Sequence, residues 1–353
     1  MTPGRPAPGH TTAPDKDGHM TRTNAQYRLV ARPVGLPAAS DFEYAEEPAP
    51  QPGEGEFLVQ VDYLSIDPAM RSWMNEARSY VPPVGLGEVM RAAGIGHVVE
   101  SRHPRHPVGE VVSGLFGVQR YALSDGEGVT PVDLSLGEAP VHLGALGYSG
   151  LTAYFGLLDI GRPEPGQTVV VSAAAGSVGA LTGQIARIKG CRAIGIAGGP
   201  DKCRFLVEEL GFDGAVDYKA GNVRAQVRDL APDGVDVFFD NVGGDILDDV
   251  LTTLAHGARV VISGAVSQYN SEQGLRGPAN YMQLLVKRAS MTGFVIFDYA
   301  ARYGEARAEL AGWLRSGQLT ERTHVITGGV ERFPQALLGL FAGENTGKAV
   351  LAL

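Results

Sequence analysis

From Gln167 to Ala265, apolar runs of strand length alternate with longer amphipathic runs. "QTVVVSA", "RAIGIAG", "GAVDYK", "VDVFFDNV" and "ARVVISGA" read as strands. "SVGALTGQIARIKG", "PDKCRFLVEELG", "NVRAQVRDLAP" and "DILDDVLTTLAHG" read as the helices between them. Parallel neighbours need a long crossover, usually helical, and a series of such crossovers builds a doubly wound sheet. Gly190 and Gly211 stand where the first two helices should stop, and Pro200 stands in the first turn of the second.

The flanks have a different texture. From Tyr27 to about Leu146, short apolar runs are broken by Pro and Gly. "EFLVQVDYLSID", "GIGHVVES" and "EVVSGLFGVQRYALS" read as strands, and "DPAMRSWMNEARSY" as a helical turn among them. "LGALGYSGLTAYFGLLDIG" leads helically into the alternating region. After the helical "RYGEARAELAGWLRSGQL", the strand-like "THVITGG" and "GKAVLAL" flank the helical "RFPQALLGLFAG" and return to the first style. The expected class is therefore α/β with two domains, which suits 353 residues. A β-rich domain covers 21–146 and is completed by 319–353, and a doubly wound domain covers 147–318. Residues 1–20 are rich in Pro, Gly and Thr and lack an apolar run, so a disordered tail is expected there.

A formal net charge of -9 without a basic stripe argues against nucleic acid and anionic membrane surfaces as partners. No apolar run reaches the roughly 18 to 20 residues of a membrane span. Cys191 and Cys203 are the only cysteines. They suggest neither a disulfide framework nor a four-cysteine zinc site, and a cytoplasmic location is expected. His103 and His106 lie three apart in a Pro-rich turn with no third ligand evident, so that turn reads as solvated and no metal is expected.

At the end of the first strand of the alternating region, Ala174, Gly176 and Gly179 fit A-x-G-x-x-G, with Ser177 and Val178 between the glycines. The small first residue permits a sharp turn. Gly176 lets backbone N–H groups approach a pyrophosphate, and Gly179 lets the helix lie close to the strand. The helix dipole adds attraction for the phosphates. The acid that would hold a ribose 2′-hydroxyl belongs about 20 residues further on. Here Ala197, Gly198 and Gly199 are neutral, and Lys202 and Arg204 follow. A cation suits a 2′-phosphate, so NADPH is expected over NADH, with Asp201 turned to cap its helix.

"AAAGSVGALTGQIARIKGCRAIGIAGGPDK", "FFDNVGGDILDDVL" and "SGAVSQYN" together resemble the zinc-independent medium-chain dehydrogenase/reductases. The group is that of leukotriene B4 12-hydroxydehydrogenase, prostaglandin reductase and 2-alkenal reductase. "DPAMRSWMNEARSY" and "PPVGLGEVMRAAGIGHVV" resemble its bacterial, curcumin-reductase-like branch. The resemblance runs from about Tyr27 to Leu353. It implies a GroES-like domain joined to a Rossmann domain, with a substrate cleft between them. It implies NADPH-dependent reduction of the C=C bond of α,β-unsaturated aldehydes and ketones, with hydride delivered to the β carbon and the α carbon protonated afterwards. It also implies a homodimer through the strands near Phe294. The G-H-E motif of zinc-using relatives is missing, since Val98 follows His97. A quinone reductase on the same scaffold, or an NADPH-binding sensor or partner without turnover, are the alternative readings.

The same resemblance assigns roles. Tyr269 matches the tyrosine of the family's "SxYN" segment, which hydrogen-bonds an enolate oxygen or helps deliver a proton; packing against the cofactor is the plainer reading. Tyr218 matches a residue near the adenosine phosphate. Asn241 closes the strand of "FDNVGG" at the cofactor edge, where its amide suits a ribose hydroxyl; a turn-forming Asn before Val-Gly-Gly is the rival reading. Phe294, Val295 and Ile296 resemble the strand whose backbone meets the nicotinamide carboxamide. Asn345 matches the N-x-G-K asparagine near the cofactor, and Gly198 belongs to the same cofactor-binding set. Met70 and Arg71 are expected at the cleft edge, with Tyr80 and Trp73 as aromatic surface. Ala69 stands where several relatives carry a pocket-lining tyrosine, so a roomier or reshaped pocket is expected.

Overall fold

The computed structural model describes residues 11–14, 20–77 and 79–353. Six strands, Thr168–Val171, Arg192–Ala197, Gly214–Asp217, Val235–Asp240, Leu254–Ile262 and Ser290–Gly293, form one sheet. Numbered along the chain, they lie in the order 3-2-1-4-5-6, and every pairing is parallel. The central strands are apolar on both faces because both are covered. Val169 and Val171 pack with helices Tyr148–Phe155, Ser177–Ile188 and Tyr303–Arg315. Val170, Ile194 and Phe238 pack into a second core on the other face. The order reverses beside the first strand, which opens a crevice at the carboxyl ends of the first and fourth strands.

Two elements differ from their sequence reading. The helix expected over 245–257 ends at Leu251, and the next strand already begins at Leu254. The hydroxyls of Thr252 and Thr253 donate back to the carbonyls of Asp249 and Val250, while the Thr253 carbonyl accepts from Val235 N–H at 3.0 Å and starts the ladder. The strand expected to include Phe294, Val295 and Ile296 stops at Gly293, opposite Ile262. Its partner strand ends there, so Phe294 and Val295 have no ladder to join, and Ile296 starts a 3-10 turn.

The first domain is built on Phe57–Ser65, which pairs antiparallel with Gly94–Ser101, Tyr121–Ser124 and Lys348–Ala352. Phe333 and Leu337 of helix Phe333–Ala342 are buried in the same core as Phe57, Met70 and Met74. The end of the chain is thus woven into its beginning. Gly347 joins it to the Rossmann sheet: its N–H donates to Ala175 O at 2.8 Å, and it bridges Gly176 in parallel. At φ +77° a Cβ there would lie 1.9 Å from Arg322 O, so only glycine fits. Of the tail expected over 1–20, residues 1–10 and 15–19 lie outside the described residues. Thr11–Pro14 is a strand on Met20–Leu29, a pairing that backbone groups make without apolar side chains.

Candidate functional site

Ala173 to Gly179 form the turn between the first Rossmann strand and helix Ser177–Ile188. Ala173 takes a left-handed φ of 48°, an uncommon conformation for a residue with a Cβ. Ala174 is buried, and its N–H donates to Ile196 O at 3.0 Å. A Cβ on Gly179 would lie 2.4 Å from Ala173 O, so the helix rests directly on the turn. A Cβ on Gly176 would meet only Ala173 O, at 3.3 Å. Gly176 is the N-cap, and no side chain caps the helix. Val178 packs against the core. An uncapped twelve-residue helix that starts from a glycine fits an anionic group.

The second strand ends at Ala197, and Gly198 lies under the Tyr218 ring, where a Cβ would come 2.8 Å from the phenol oxygen. Half-exposed Tyr218 therefore fills the place of a side chain at 198. Lys202 and Lys219 are near enough for Lys219, after burial, to lower the Lys202 pKa. Lys202 Nζ donates to Gly343 O at 2.7 Å. Asp201 pairs with Arg204, and the helix has no side-chain cap, so the expected capping role is corrected. An acid absent from the sequence reading is present on the neighbouring strand. Asp217 Oδ1 accepts from Gly199 N–H at 2.8 Å and Lys219 N–H at 2.9 Å, which binds it to backbone. Two cations beside a side-chain-free turn fit a 2′-phosphate.

The crevice floor holds a cluster that sequence reasoning passed over. Ser172, just past the end of the first strand, and Asp240, the last residue of the fourth, are fully buried. Ser172 Oγ donates to Asp240 Oδ1 at 2.7 Å and accepts from Asn241 N–H at 2.8 Å. Val242 and Gly243 N–H groups donate to the same carboxyl, each at 3.0 Å. Burial still pushes the Asp240 pKa upward against these bonds. Asn241 spends its amide N–H on Ser172 O at 2.8 Å, so the side chain is first a clamp between strand ends.

Tyr269 stands half-buried at the rim of the crevice. Its hydroxyl accepts from Ala265 N–H at 3.2 Å and lies against Gly264. Burial, more than the nearby Tyr80 and Asp240, holds its pKa above that of an ordinary phenol. The group is therefore neutral near pH 7 and keeps its own hydrogen for a ligand. Asn270 Oδ1, next in sequence, is buried without a hydrogen-bond partner. Exposed Tyr80 lies 6.3 Å from Phe297, whose ring meets Tyr148 at 5.6 Å, and these rings form an aromatic flank.

Other expected residues lie elsewhere. Met70 is fully buried in the first-domain core, and its expected place at the cleft edge is corrected. Arg71 is also corrected: buried, it donates to Gly35 O and Pro33 O at 3.0 Å and to Asn75 Oδ1 at 2.6 Å, so it braces its own domain. Both are buried on the short helix Ala69–Trp73, Met70 by the domain core and Arg71 by the 33–35 segment. Trp73 is buried beneath Arg91. Phe294 packs over Gly156 and 6.5 Å from Phe239, with Val295 half-buried beside it. Asn345 is buried and donates to Gly347 O at 2.9 Å, which shapes the loop that meets Ala175. His106 is buried against Phe57 and bonded to Glu110, not solvated. Among the described residues, no three His, Cys, Asp or Glu side chains are grouped to hold a metal ion.

Two family models match the chain, one described as the N-terminal domain of oxidoreductase over residues 25–132, the other as zinc-binding dehydrogenase over 177–312. The chain is 44% identical to a putative NADP-dependent oxidoreductase of Bacillus subtilis over 336 residues, covering 94% of this chain and 98% of that protein. It is 41% identical to the NADPH-dependent curcumin reductase of Escherichia coli over 343 residues, covering 95% and 98%. Among solved structures it is similar to CurA from Vibrio vulnificus in complex with NADPH, at 44% identity and TM-score 0.87, covering 93% and 98%.

Proposed function

The chain belongs to the zinc-independent medium-chain dehydrogenase/reductases, and from that membership we propose that it is an NADPH-dependent reductase of the C=C bond in α,β-unsaturated aldehydes and ketones. The observation that carries the reading is Tyr269: a neutral phenol, held by Ala265 N–H, with its hydrogen free at the carboxyl edge of the sheet. Reduction of an enone develops negative charge on the carbonyl oxygen, and a positioned O–H donor stabilises it without giving up its proton.

NADPH, when bound, supplies the hydride. The uncapped turn at Gly176, Ser177, Val178 and Gly179 receives its pyrophosphate. Lys202 and Lys219 receive the 2′-phosphate beside Gly198 and Tyr218. Ser172, Asp240 and Asn241 fix the separation of the two strand ends that bound the crevice, which keeps the turn and the Tyr269 segment in register. Tyr80, Phe297 and Tyr148 give the acceptor an apolar flank and shed water from it. Orientation of the two reactants contributes most of the rate, and the phenol adds to it.

The working unit is a homodimer. Ser290–Gly293 is an edge strand whose four residues are exposed. Tyr281, Met282, Leu285 and Val286 beside it are exposed as well. An open edge with an apolar border is a surface that a second copy covers. The cytoplasm supplies NADPH and keeps Cys191 and Cys203 as thiols. No helix among the described residues is long and apolar enough to cross a membrane.

The test is an acceptor panel of 2-alkenals, enones, curcumin and quinones, run with NADPH and with NADH. Consumption of NADPH with enones, and a saturated carbonyl product, is the expected result. Turnover of quinones alone would move the assignment to the quinone reductases, and saturable NADPH binding with no acceptor turned over would leave a sensor. Light scattering at micromolar protein checks the dimer.

A further inference from the structure

Glu321 lies where the chain crosses back from the Rossmann domain to the first domain, between helix Tyr303–Arg315 and strand Thr323–Ile326. Its side chain reaches over Gly144: a Cβ there would fall 1.4 Å from Glu321 Oε1. Oε2 accepts from Ala145 N–H at 3.0 Å. Oε1 is buried and has no hydrogen-bond partner, and the same is true of Ser177 Oγ, on the first residue of the dinucleotide helix. Both residues line one cavity of about 10 Å³, with Thr320, Arg322, Gly347 and Lys348 around it. That is room for about one water molecule, in a site with polar groups to hold it.

We propose that Glu321 is a positioning residue for the cofactor: through the cavity it shares with Ser177, its protonation state sets how strongly the dinucleotide turn holds NADPH. The inference rests on the NADPH reading given above. An ionised carboxylate at a helix N-terminus is attracted by the same amides and dipole that would receive the pyrophosphate, so it competes with the phosphates for one field. A protonated Glu321 leaves that field to the cofactor and has an O–H to offer across the cavity. Linkage makes the effect reciprocal, so NADPH binding draws a proton onto Glu321.

The neighbouring charges leave Glu321 without a dedicated partner. Lys348 is the one cation facing it, and its Nζ is engaged by Ser65 Oγ and by Asp67 Oδ1 at 2.6 Å. Arg322, which also lines the cavity, holds its guanidinium over the Phe205 ring and 3.4 Å from Glu209. The segment around Gly144 and Ala145 contributes backbone, with half-buried His142 just before it. Helix Ser177–Ile188 contributes the Ser177 hydroxyl and carries no charge until Arg187. Burial pushes the Glu321 pKa up to about 7, against the pull of Ala145 N–H and Lys348. The switch therefore operates near neutral pH.

The experiment is calorimetric titration of the full chain with NADPH from pH 6 to 8.5, in buffers of different ionisation enthalpy, for wild type, Glu321→Gln and Ser177→Ala. Glu321→Gln keeps a side-chain oxygen for Ala145 N–H and the carboxyl's shape. In wild type, Kd should rise about tenfold across the range, with net proton uptake near pH 7. In Glu321→Gln the rise should fall below about threefold and the extra uptake should vanish, leaving the titration of the 2′-phosphate common to both proteins. Ser177→Ala should reduce the pH dependence of Kd, whatever its effect on Kd itself. Equal pH profiles and proton counts in wild type and Glu321→Gln would overturn the proposal. Absence of NADPH binding to wild type at any pH would instead overturn the functional reading on which it rests.

Discussion

The Ser172 hydroxyl donates to Asp240 Oδ1 at 2.7 Å, across 68 residues of sequence, and ties together the two strand ends that bound the crevice. Both side chains are fully buried, and the Asp240 carboxyl otherwise accepts from Val242 and Gly243 N–H. Ser172→Ala removes a donor from a buried carboxyl and an acceptor from Asn241 N–H. A loss of about 1–3 kcal/mol is expected, read by urea denaturation.

Lys202→Ala or Lys219→Ala should weaken NADPH about ten- to a hundredfold, the loss of one charge-assisted contact to phosphate. NADH affinity should change little, because it has no 2′-phosphate to lose. Fluorescence titration with both nucleotides measures the contrast, and equal losses for both would remove these lysines from the site.

Tyr269→Phe keeps the ring and removes the O–H. A fall of about a hundredfold in kcat, with the NADPH KM nearly unchanged, is expected for loss of one oxyanion donor. Steady-state kinetics on a small enone decides it. A variant with full activity would reduce Tyr269 to packing.

The chain itself should lose stability as the solution becomes alkaline. An ordinary glutamate titrates near 4.5, and folded Glu321 at about 7. The raised folded value means that the protonated form favours folding. Its contribution is complete below pH 4.5 and is lost as pH climbs through 7. Glu321→Gln escapes that loss, so it should exceed wild type by about 3 kcal/mol at pH 8 and by only a small part of that at pH 5. Urea midpoints at the two pH values provide the check.

Gly347→Ala should be among the most damaging single-methyl changes. The residue sits at φ +77° with Arg322 O where its Cβ would go. A loss of at least about 2 kcal/mol is expected in thermal or urea unfolding, accompanied by weaker NADPH binding because the Ala175 contact moves.

Features carried by local spacing were legible in the sequence. Ala174, Gly176 and Gly179 lie within one turn, and the alternation of strand and helix signals after Gln167 reports a two-faced parallel sheet directly. Side-chain direction on a five-residue helix is not local: Met70 and Arg71 face inward because a core and the Pro33–Gly35 carbonyls lie beneath them, and nothing in "DPAMRSW" says so. Ser172 with Asp240, and Ser177 with Glu321, are pairs made by topology over long separations. Asp217 escapes a spacing argument because the fingerprint places its acid on the second strand, whereas the Gly199 N–H that Asp217 accepts from is reached from the third. Phe294 left its strand because the neighbouring strand ran out at Ile262, a property of the partner.

The union of Lys348–Ala352 with Phe57–Ser65, and of Gly347 with Ala175, has a consequence for biosynthesis. That stretch leaves the ribosome only after every element it joins has emerged. Until then the first sheet has an open edge and the nucleotide turn lacks its brace, so the nascent chain carries two unfinished halves that one short stretch closes together. Deleting residues 347–353 would leave a chain arrested at that stage, dependent on chaperones despite an intact glycine turn.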